Sequence, residues 1–442
     1  MYLIYDLIVF LASLLYLPVY ALRGRMHADI WMRLGIFKKD FFKSLEGHDV
    51  VWIHAVSVGE ARAAESLVGL IRAQWPQKRI VVSTVTPTGY SIAKKIIQND
   101  ELVFYAPLDL SFIVSRFLKM IKPSLLIIME TELWPNLIRL SKKQGACVAI
   151  VNGRISDRSY RHYAYFRAIL KYVLRKVDLF CMQNSNGAER IISLGAVRKR
   201  VEVTGNIKFD ISANIRESAY VAALKNYLKG CLLCIAGSTH DNEEEIVTKL
   251  YKSLRKDFNN LRLLIAPRHP ERIDKIRRMI KLMGLDALNL SHASGFSSAQ
   301  IVLVDTIGDL SALYQLCDIA FIGGSLVKKG GHNPIEPALF GKAIIFGKHM
   351  ENFKEIRDVF INAKAALEID GPKNLEYELR GLLQDAPRRQ ELGCRAQDII
   401  DKNKGAAQAT FSCLDKMFGT PKFSDSKISI KDSKSRFRRR KT

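Results

Sequence analysis

The segment HAVSVGE, at residues 54–60, places an acidic side chain where it could accept a proton. Ser57 and Glu60 have the spacing of a capping box, a helix start that needs no catalysis, and the spacing alone favours that structural role. Gly59, however, stands beside the acid just after a first predicted strand, which is where a doubly wound sheet meets its ligand. Glu60 is therefore also a candidate general base for a hydroxyl group.

Two further charged residues, Glu130 and Lys208, follow predicted strands later in the chain. Glu130 lies in METELWPN, at 129–136, directly after the fourth predicted strand. A carboxylate near a helix start also interacts favourably with the helix dipole, which is the structural alternative. Lys208 lies in TGNIKFD, at 204–210, between the two halves of the chain. A lone lysine is ordinarily a solvated charge, but at a hinge it could neutralise a carboxylate or a phosphate.

The second half of the chain carries turns that suit an anionic ligand. GSTH, at 237–240, follows a predicted strand and is typical either of a phosphate-binding turn or of an ordinary helix cap. APRHPER, at 266–272, presents Arg268 and His269 at a strand end. These two side chains are candidate donors to phosphate or sugar oxygens, with surface charge as the alternative.

A glycine-rich loop at 321–347, FIGGSLVKKGGHNPIEPALFGKAIIFG, joins two predicted strands through a short helix. Pro334 suits the first turn of that helix, whose free N–H groups favour an anion or a hydroxyl group. Four glycines let the backbone approach a ligand closely, and Glu336 adds an acceptor. A mobile surface loop is the alternative, but the combination favours a ligand-binding loop.

Alternating strands and helices must position these turns. The apolar runs predict strands at 50–55, 79–84, 102–105, 125–129, 147–151, 179–182 and 201–203, and again at 232–236, 261–266, 301–304, 318–322, 343–346 and 365–367. Repeated β–α alternation predicts an α/β fold in which helices cover parallel sheets. The break between the two series, at 205–216, predicts two similar domains that face each other across a cleft.

Composition and charge limit the classes of function. The chain has 442 residues with 48% hydrophobic and 25% charged residues, as expected of a globular protein of two or three domains. A formal net charge of +24 indicates an anionic partner such as lipid, nucleic acid or a phosphorylated substrate. The seven scattered cysteines indicate a reducing compartment. No D-x-D, P-loop or histidine cluster supports a metal-bridged or P-loop nucleotide site.

The two termini differ from the rest of the chain. Residues 3–22 are apolar apart from Asp6 and Ser13 and are about long enough for a membrane anchor. Arginines follow at once, which predicts that the remainder lies on the cytoplasmic side. The tail at 421–442 is rich in serine, lysine and arginine, and we expect it to be disordered and solvated or attracted to anionic lipid.

Taken together, HAVSVGE, METELWPN, TGNIKFD, GSTH, APRHPER and GGHNPIEPALFGKAIIFG resemble the motifs of the Kdo transferases, which transfer 3-deoxy-D-manno-octulosonic acid (Kdo) in lipopolysaccharide synthesis. The resemblance covers about residues 1–415 and leaves out the basic tail. It implies a GT-B glycosyltransferase fold, with a membrane anchor at 1–22, an acceptor-binding domain at 23–204, a connector at 205–216 and a nucleotide-sugar-binding domain at 217–420.

The resemblance also implies an activity and roles for individual residues. The implied reaction moves Kdo from CMP-Kdo to a lipid A precursor at the inner membrane of a Gram-negative cell, without a metal or other cofactor and without nucleic acid. Glu60 matches the proton acceptor, and Glu130 and Lys208 match positions that stabilise the transition state. The CMP-binding residues implied are Arg268, His269, Asp309, Leu310, Ser311, Asn333, Ile335, Glu336 and Pro337.

Two other functions remain open on the sequence. One is a different GT-B transferase that carries a UDP-sugar to a lipid-linked acceptor. The other is a basic scaffold that binds nucleic acid or membrane, although the positive charge is spread through the α/β segments and no RNA-binding signature is present.

Overall fold

A computed structural model of the chain describes residues 2–22, 29–38, 40–98, 101–210, 219–291 and 300–419. The predicted tail at 421–442 and part of the connector, 211–216, lie outside these residues. The strands are β1 (Asp49–His54), β2 (Lys78–Thr84), β3 (Leu102–Tyr105), β4 (Pro123–Met129), β5 (Cys147–Gly153), β6 (Leu179–Met182), β7 (Val201–Val203), β8 (Leu232–Thr239), β9 (Leu261–Pro267), β10 (Ala287–Asn289), β11 (Ile301–Leu303), β12 (Ile319–Ile322), β13 (Ala343–Gly347) and β14 (Leu367–Ile369).

The helices alternate with the strands over most of the chain. They are α1 (Tyr2–Leu22), α2 (Asp29–Arg33), α3 (Val58–Gln74), α4 (Pro87–Ile96), α5 (Ser111–Ile121), α6 (Pro135–Lys143), α7 (Asp157–Tyr165), α8 (Arg167–Leu174), α9 (Ser185–Leu194), α10 (Ala219–Tyr227), α11 (Glu243–Leu254), α12 (Ile273–Leu282), α13 (Leu310–Leu313), α14 (Ile335–Ala338), α15 (Lys354–Asn362), α16 (Pro372–Gln384), α17 (Ala386–Asn403) and α18 (Ala406–Gly419).

Each half of the chain forms one seven-stranded sheet in which all the paired strands are parallel. The first sheet has the order β3-β2-β1-β4-β5-β6-β7 and the second β10-β11-β9-β8-β12-β13-β14. The central strands are buried on both faces, so their residues are almost continuously apolar rather than alternating. In both sheets the strand order reverses at the first strand of the half, β1 or β8, and ligands bind at such a switch point.

The strand predictions are confirmed, with ends that shift by up to three residues. β10 was missed because three residues at the sheet edge carry too short an apolar pattern. Two helices that meet at Phe166 occupy the segment 157–174. Phe166 has φ −100° and ψ 16°, outside the helical region, so the helix cannot continue through it.

The last helix crosses back to the first domain. Phe411 and Leu414 of α18 are buried in the core that covers one face of the N-terminal sheet. Trp75 packs on Phe411 and donates a hydrogen bond to Asp415. The domain boundary at 420, expected from the sequence, places α18 in the C-terminal domain. In the structure, the apolar face of α18 packs against α3 and β6 of the first domain.

The N-terminal helix docks on the first domain through its polar residues. Asp6 accepts hydrogen bonds from the backbone N–H of Ser111 (3.0 Å) and the side chain of Asn136 (2.7 Å), at the starts of α5 and α6. Tyr5 donates to Asp109, whose carboxylate caps the start of α6. None of the described helices combines the length and the apolar character needed to cross a membrane.

Candidate active site

Glu60 lies at the start of α3, at the end of β1, and is 5% exposed. Ser57 caps the helix as predicted, because its hydroxyl accepts from the backbone N–H of Glu60 (3.3 Å), but the other half of the capping box reaches Val56 instead of Ser57. The Glu60 carboxylate accepts from the Ser57 hydroxyl and the backbone N–H of Val56, both at 2.7 Å. The cap and the candidate base are therefore the same carboxylate, held in one orientation.

The electrostatic surroundings of Glu60 suit proton transfer near neutral pH. Burial, and then the negative charge of Glu130, raise the pKa of Glu60 to about 7, although the hydrogen bonds from Ser57 and Val56 oppose the rise. A carboxyl group that titrates near the working pH can accept a proton and release it again. The pair of acids predicted from two separate strand ends is thus close enough to be coupled.

Glu130 and Lys208 form an ion pair at the carboxyl edge of the first sheet. The Nζ of Lys208 lies 2.5 Å from Oε1 of Glu130. Glu130 has a φ of 57°, a left-handed conformation that costs free energy for a residue with a Cβ and recurs at functional sites. Gly59 adjoins the lysine, since a Cβ added at Gly59 would lie in ordinary van der Waals contact with Nζ, at 3.6 Å.

The backbone around Lys208 is tied to the end of β5 and to the start of α18. Asn152, at the end of β5, accepts from the backbone N–H of Ile207 (3.0 Å), and Asn206 accepts from that of Lys208 (3.0 Å). Asp210 accepts from the backbone N–H groups of Gly405 and Ala407 at the start of α18. The connector therefore presents Lys208 from a short, well-anchored turn.

Two residues that the sequence did not single out complete this ion cluster, which consists of Glu130, Arg154, Lys208 and Glu355. Glu355, in the first turn of α15, lies 2.6 Å from the Arg154 guanidinium and 2.7 Å from Nζ of Lys208. Arg154 also lies 3.5 Å from Glu130. Burial alone would lower the pKa of Lys208, but Glu130 and Glu355 raise it above its ordinary value, so the lysine is a cation.

The predicted nucleotide-binding residues meet in the second domain, across the cleft. Glu336, in the first turn of α14, is within hydrogen-bond reach of Ser311 and lies 3.4 Å from the Asn333 side-chain amide. Asn333 in turn accepts from the backbone N–H of Ile335 (3.1 Å). Burial raises the pKa of Glu336, while these donors and the charges of Arg62 and Arg268 oppose the rise.

A polar cavity lies between the two domains at this point. Four of the residues predicted to bind CMP, Arg268, Leu310, Asn333 and Glu336, line it together with Arg62, Ser238, Tyr314, His332 and Phe353. Of the other predicted residues, Ile335 is buried in the core behind the cavity, and Asp309 is the N-cap residue of α13. The ring of His269 points to Glu271 and to the ring of His240.

The cavity depends on a close approach of backbone at the end of β8. A Cβ added at Gly237 would lie only 1.9 Å from the Tyr314 hydroxyl, so a larger residue there would displace the Tyr314 side chain that lines the cavity. His240, which follows in the same turn, stacks on His332 with 3.0 Å between their Nε2 atoms. Burial and the neighbouring cationic side chains lower the pKa of His332 to about 4, so the pair is neutral near pH 7.

Arg62 links the two parts of the site. It lies on α3, two residues after Glu60, yet it lines the cavity of the other domain. Phe353 lines the same cavity, and Glu355 of the ion cluster follows it by two residues. The cavity, the ion cluster and the buried Glu60 are therefore adjacent parts of one cleft. A cation that reaches across this cleft next to a buried acid suits a reaction in which a phosphate leaves and a hydroxyl attacks.

Comparison with known proteins gives consistent matches. The family model for 3-deoxy-D-manno-octulosonic-acid transferase (kdotransferase) matches residues 28–211. A 3-deoxy-D-manno-octulosonic acid transferase of Haemophilus influenzae is 36% identical over 367 residues, which cover 82% of this chain and 86% of that protein. A protein of the same name from Chlamydophila psittaci is 29% identical over 83% of this chain and 85% of its own length.

Among solved structures, UDP-GlcNAc 2-epimerase from Neisseria meningitidis, bound to UDP-GlcNAc, superposes with a TM-score of 0.52 over 83% of this chain and 100% of its own. At 11% identity this similarity concerns the fold alone. The two parallel sheets that face a cleft confirm the predicted α/β, GT-B-like architecture. Similarity in sequence over most of its length shows that the chain belongs to the 3-deoxy-D-manno-octulosonic-acid transferase family.

Proposed function

We propose that this chain is a glycosyltransferase that moves Kdo from CMP-Kdo to a lipid A precursor. The observation that carries the proposal is the cleft itself, where the buried Glu60, with a pKa of about 7, lies beside a cation-lined cavity. This cleft occurs in a chain that is 36% identical to a 3-deoxy-D-manno-octulosonic acid transferase. The family supplies the reaction, and the geometry supplies a role for each part of the cleft.

The cavity of the second domain suits the CMP part of the donor. Arg268 and Arg62 offer guanidinium groups to the phosphate, and such groups bind phosphate oxygens in pairs. Glu336, Asn333 and Ser311 form a hydrogen-bonding group that suits the hydroxyls of a ribose or the polar edge of a base. His269, Asp309, Leu310, Ile335 and Pro337 belong to the turns that shape this cavity.

Glu60 and the ion cluster suit the transfer step. The acceptor hydroxyl gives its proton to the Glu60 carboxylate while its oxygen bonds to the anomeric carbon of Kdo. The bond from that carbon to the phosphate oxygen breaks, and its electron pair leaves with CMP. Charge builds up on the phosphate and on the sugar as this happens, and Lys208 and Glu130 lie at the edge of the cleft to stabilise it.

A transfer assay tests the proposal and its alternative. The purified protein is incubated with a lipid A precursor and either CMP-Kdo or a set of UDP-sugars, and the lipid is analysed by mass spectrometry. We expect the mass of the lipid to rise by one or more Kdo units with CMP-Kdo only. Transfer from a UDP-sugar alone would instead identify the protein as another lipid-directed GT-B transferase.

Glu336 provides a test of the donor half of the site. Replacing Glu336 with Ala removes a buried acceptor and leaves Ser311 and Asn333 without their common partner. We expect the Kd for CMP to rise about tenfold, as for the loss of one hydrogen bond to a charged group. Isothermal titration with CMP measures this, and Glu351→Ala, an exposed acid outside the cavity, is the control. Unchanged CMP affinity in Glu336→Ala would contradict the assignment.

We further propose that α1 binds the surface of the inner membrane and holds the catalytic cleft on the cytoplasmic side. Its polar residues face the protein, whereas Leu3, Ile4, Leu7, Ile8, Phe10, Leu11 and Leu14 are exposed. An apolar face of this size on a protein with a net charge of +24 suits an anionic lipid surface. A lipid acceptor would then reach the cleft without leaving the membrane.

Vesicle binding tests this location. We expect the protein to sediment with vesicles that contain anionic phospholipid, and the variant Ile4→Asp/Leu11→Asp to remain in the supernatant, because both side chains lie on the exposed face of α1. Leu282→Asp, which changes a still more exposed leucine on α12, should bind vesicles like the wild type. Equal sedimentation of all three proteins would contradict membrane binding by α1.

A further inference from the structure

The ion cluster contains two residues, Arg154 and Glu355, that have no role in the proposed reaction. Arg154 follows β5 in the first domain, whereas Glu355 lies on α15 in the second. The Glu355 carboxylate uses one oxygen for each cation, with Oε1 2.6 Å from Arg154 and Oε2 2.7 Å from Lys208. One carboxylate of the second domain therefore pairs with two cations, Arg154 of the first domain and Lys208 of the connector.

The ion pairs of Glu355 with Arg154 and Lys208 lie beside the nucleotide cavity. Phe353, which lines the cavity, precedes Glu355 by two residues, and Gly59, which contacts Lys208, precedes Arg62 of the cavity by three. The ion cluster also adjoins Glu60 through Glu130.

The charges of the cluster balance as it stands. Two carboxylates and two cations leave no net charge, in a group whose side chains are only 13% (Lys208 and Glu130), 31% (Glu355) and 41% (Arg154) exposed. A third carboxylate added here would leave an uncompensated charge in a partly buried place, which is costly. A ligand carboxylate that replaces the Glu355 carboxylate keeps the net charge of the cluster at zero. Arg154 is the most exposed member of the cluster, so its guanidinium group is accessible to such a ligand.

We propose that Arg154 and Lys208 bind the carboxylate of the donor sugar and that Glu355 competes for the same position. This inference rests on the proposed function, because an ulosonic acid such as Kdo carries its carboxylate on the carbon that is bonded to the leaving phosphate. A phosphate near Arg62 and Arg268 therefore brings the carboxylate to the edge of the cavity where the cluster lies. Glu355 must move aside, and a nucleotide sugar that has no carboxylate does not displace it. Arg154 and Glu355 together thus select an acidic sugar.

Binding measurements with two ligands test this inference. CMP fills the nucleotide cavity but has no sugar carboxylate, so the ratio of the Kd for CMP-Kdo to the Kd for CMP reports on the cluster alone. Isothermal titration without acceptor gives both constants for wild type, Arg154→Met and Glu355→Gln. Arg278→Met on α12 and Glu351→Gln are matched controls, since both side chains are exposed and lie outside the cluster and the cavity.

We expect Arg154→Met to raise the ratio about tenfold, the loss of one charge-assisted hydrogen bond pair, with the Kd for CMP unchanged. Glu355→Gln should lower the ratio severalfold, because the amide competes less well for the two cations. Arg154→Lys, which keeps the charge but loses the fork, should give a smaller rise and serves if the methionine variant does not fold.

The opposite results would overturn the inference. An unchanged ratio in both Arg154 variants would show that the guanidinium does not bind the sugar, and a higher ratio in Glu355→Gln would show that Glu355 assists the donor. These results leave Kdo transfer by the wild type intact and so concern this inference alone. A wild-type protein that neither binds CMP-Kdo nor transfers Kdo would overturn the proposed function as well.

Discussion

Replacing Glu60 with Gln should lower kcat for Kdo transfer by about 10³-fold, the loss typical of a general base, while the Kd for CMP stays within about twofold of the wild-type value. The substitution is chosen because the amide keeps the geometry of the helix start. Its oxygen still accepts from the backbone N–H of Val56, whereas Ala would remove this hydrogen bond together with the base. Single-turnover transfer and titration with CMP measure the two effects separately.

The pH dependence of the wild type gives an independent check on Glu60. Only the ionised carboxylate can accept a proton, and the pKa of Glu60 is about 7 in the folded protein. Below that pH the ionised fraction falls about tenfold per pH unit, so kcat/KM should fall with the same slope. Glu65→Gln, an exposed acid on the same helix, should keep both the rate and this acidic limb. Substantial turnover by Glu60→Gln would refute the assignment of Glu60 as the base.

The strand ends that carry Glu60, Glu130 and Arg268 could be predicted from the sequence because each element of a parallel sheet has a local sequence pattern. Each strand is a short apolar run, each helix an amphipathic one, and the turns between them collect at one edge of the sheet. The capping-box spacing of Ser57 and Glu60 predicted the helix start correctly as well. It did not predict the pKa of Glu60, which depends first on burial and then on Glu130, seventy residues later.

The roles of Arg62, Arg154 and Glu355 were not predicted from the sequence because they depend on how the two domains face each other. Arg62 is one of many basic residues on amphipathic helices, and nothing in its spacing shows that it reaches the other domain. Arg154 had a usable signal, since it follows β5 at the edge where Glu60 and Glu130 lie. Glu355 had none, because its partners are about 150 to 200 residues away in the chain. The ion cluster therefore depends on the tertiary arrangement of the two domains and not on any local pattern in the sequence.

The N-terminal helix shows the same limit. In the sequence, Asp6 interrupts an otherwise apolar segment. In the structure Asp6 faces the protein and ties α1 to the starts of α5 and α6, so the opposite face of the helix stays apolar. The side on which a helical residue lies is readable from its spacing, but the surface that receives it is set by the tertiary fold.

Replacing Lys208 with Met should lower both activity and stability, because this side chain neutralises two carboxylates at once. Its Nζ lies 2.5 Å from Glu130 and 2.7 Å from Glu355, and removing it leaves two acids with only Arg154 between them. We expect kcat to fall about 100-fold through the loss of a preorganised charge. The free energy of unfolding should fall by about 3 kcal/mol, since breaking a largely buried ion pair leaves an uncompensated charge.

Three further measurements separate these effects. Lys249→Met breaks an exposed pair with Glu245 and should cost less than about 1 kcal/mol, so it controls for the loss of any lysine. The double variant Lys208→Met/Glu355→Gln removes one of the two acids left without their lysine and should recover part of the stability but none of the activity.

Because the pKa of Lys208 is raised in the folded state, its stabilising effect is fully present below its ordinary pKa of 10.5 and is lost only as the pH rises through the folded value. The stability difference between wild type and Lys208→Met should therefore be constant from pH 7 to about 9 in urea unfolding. A difference that vanishes within that interval would mean that Lys208 is not the cation that holds the two carboxylates together.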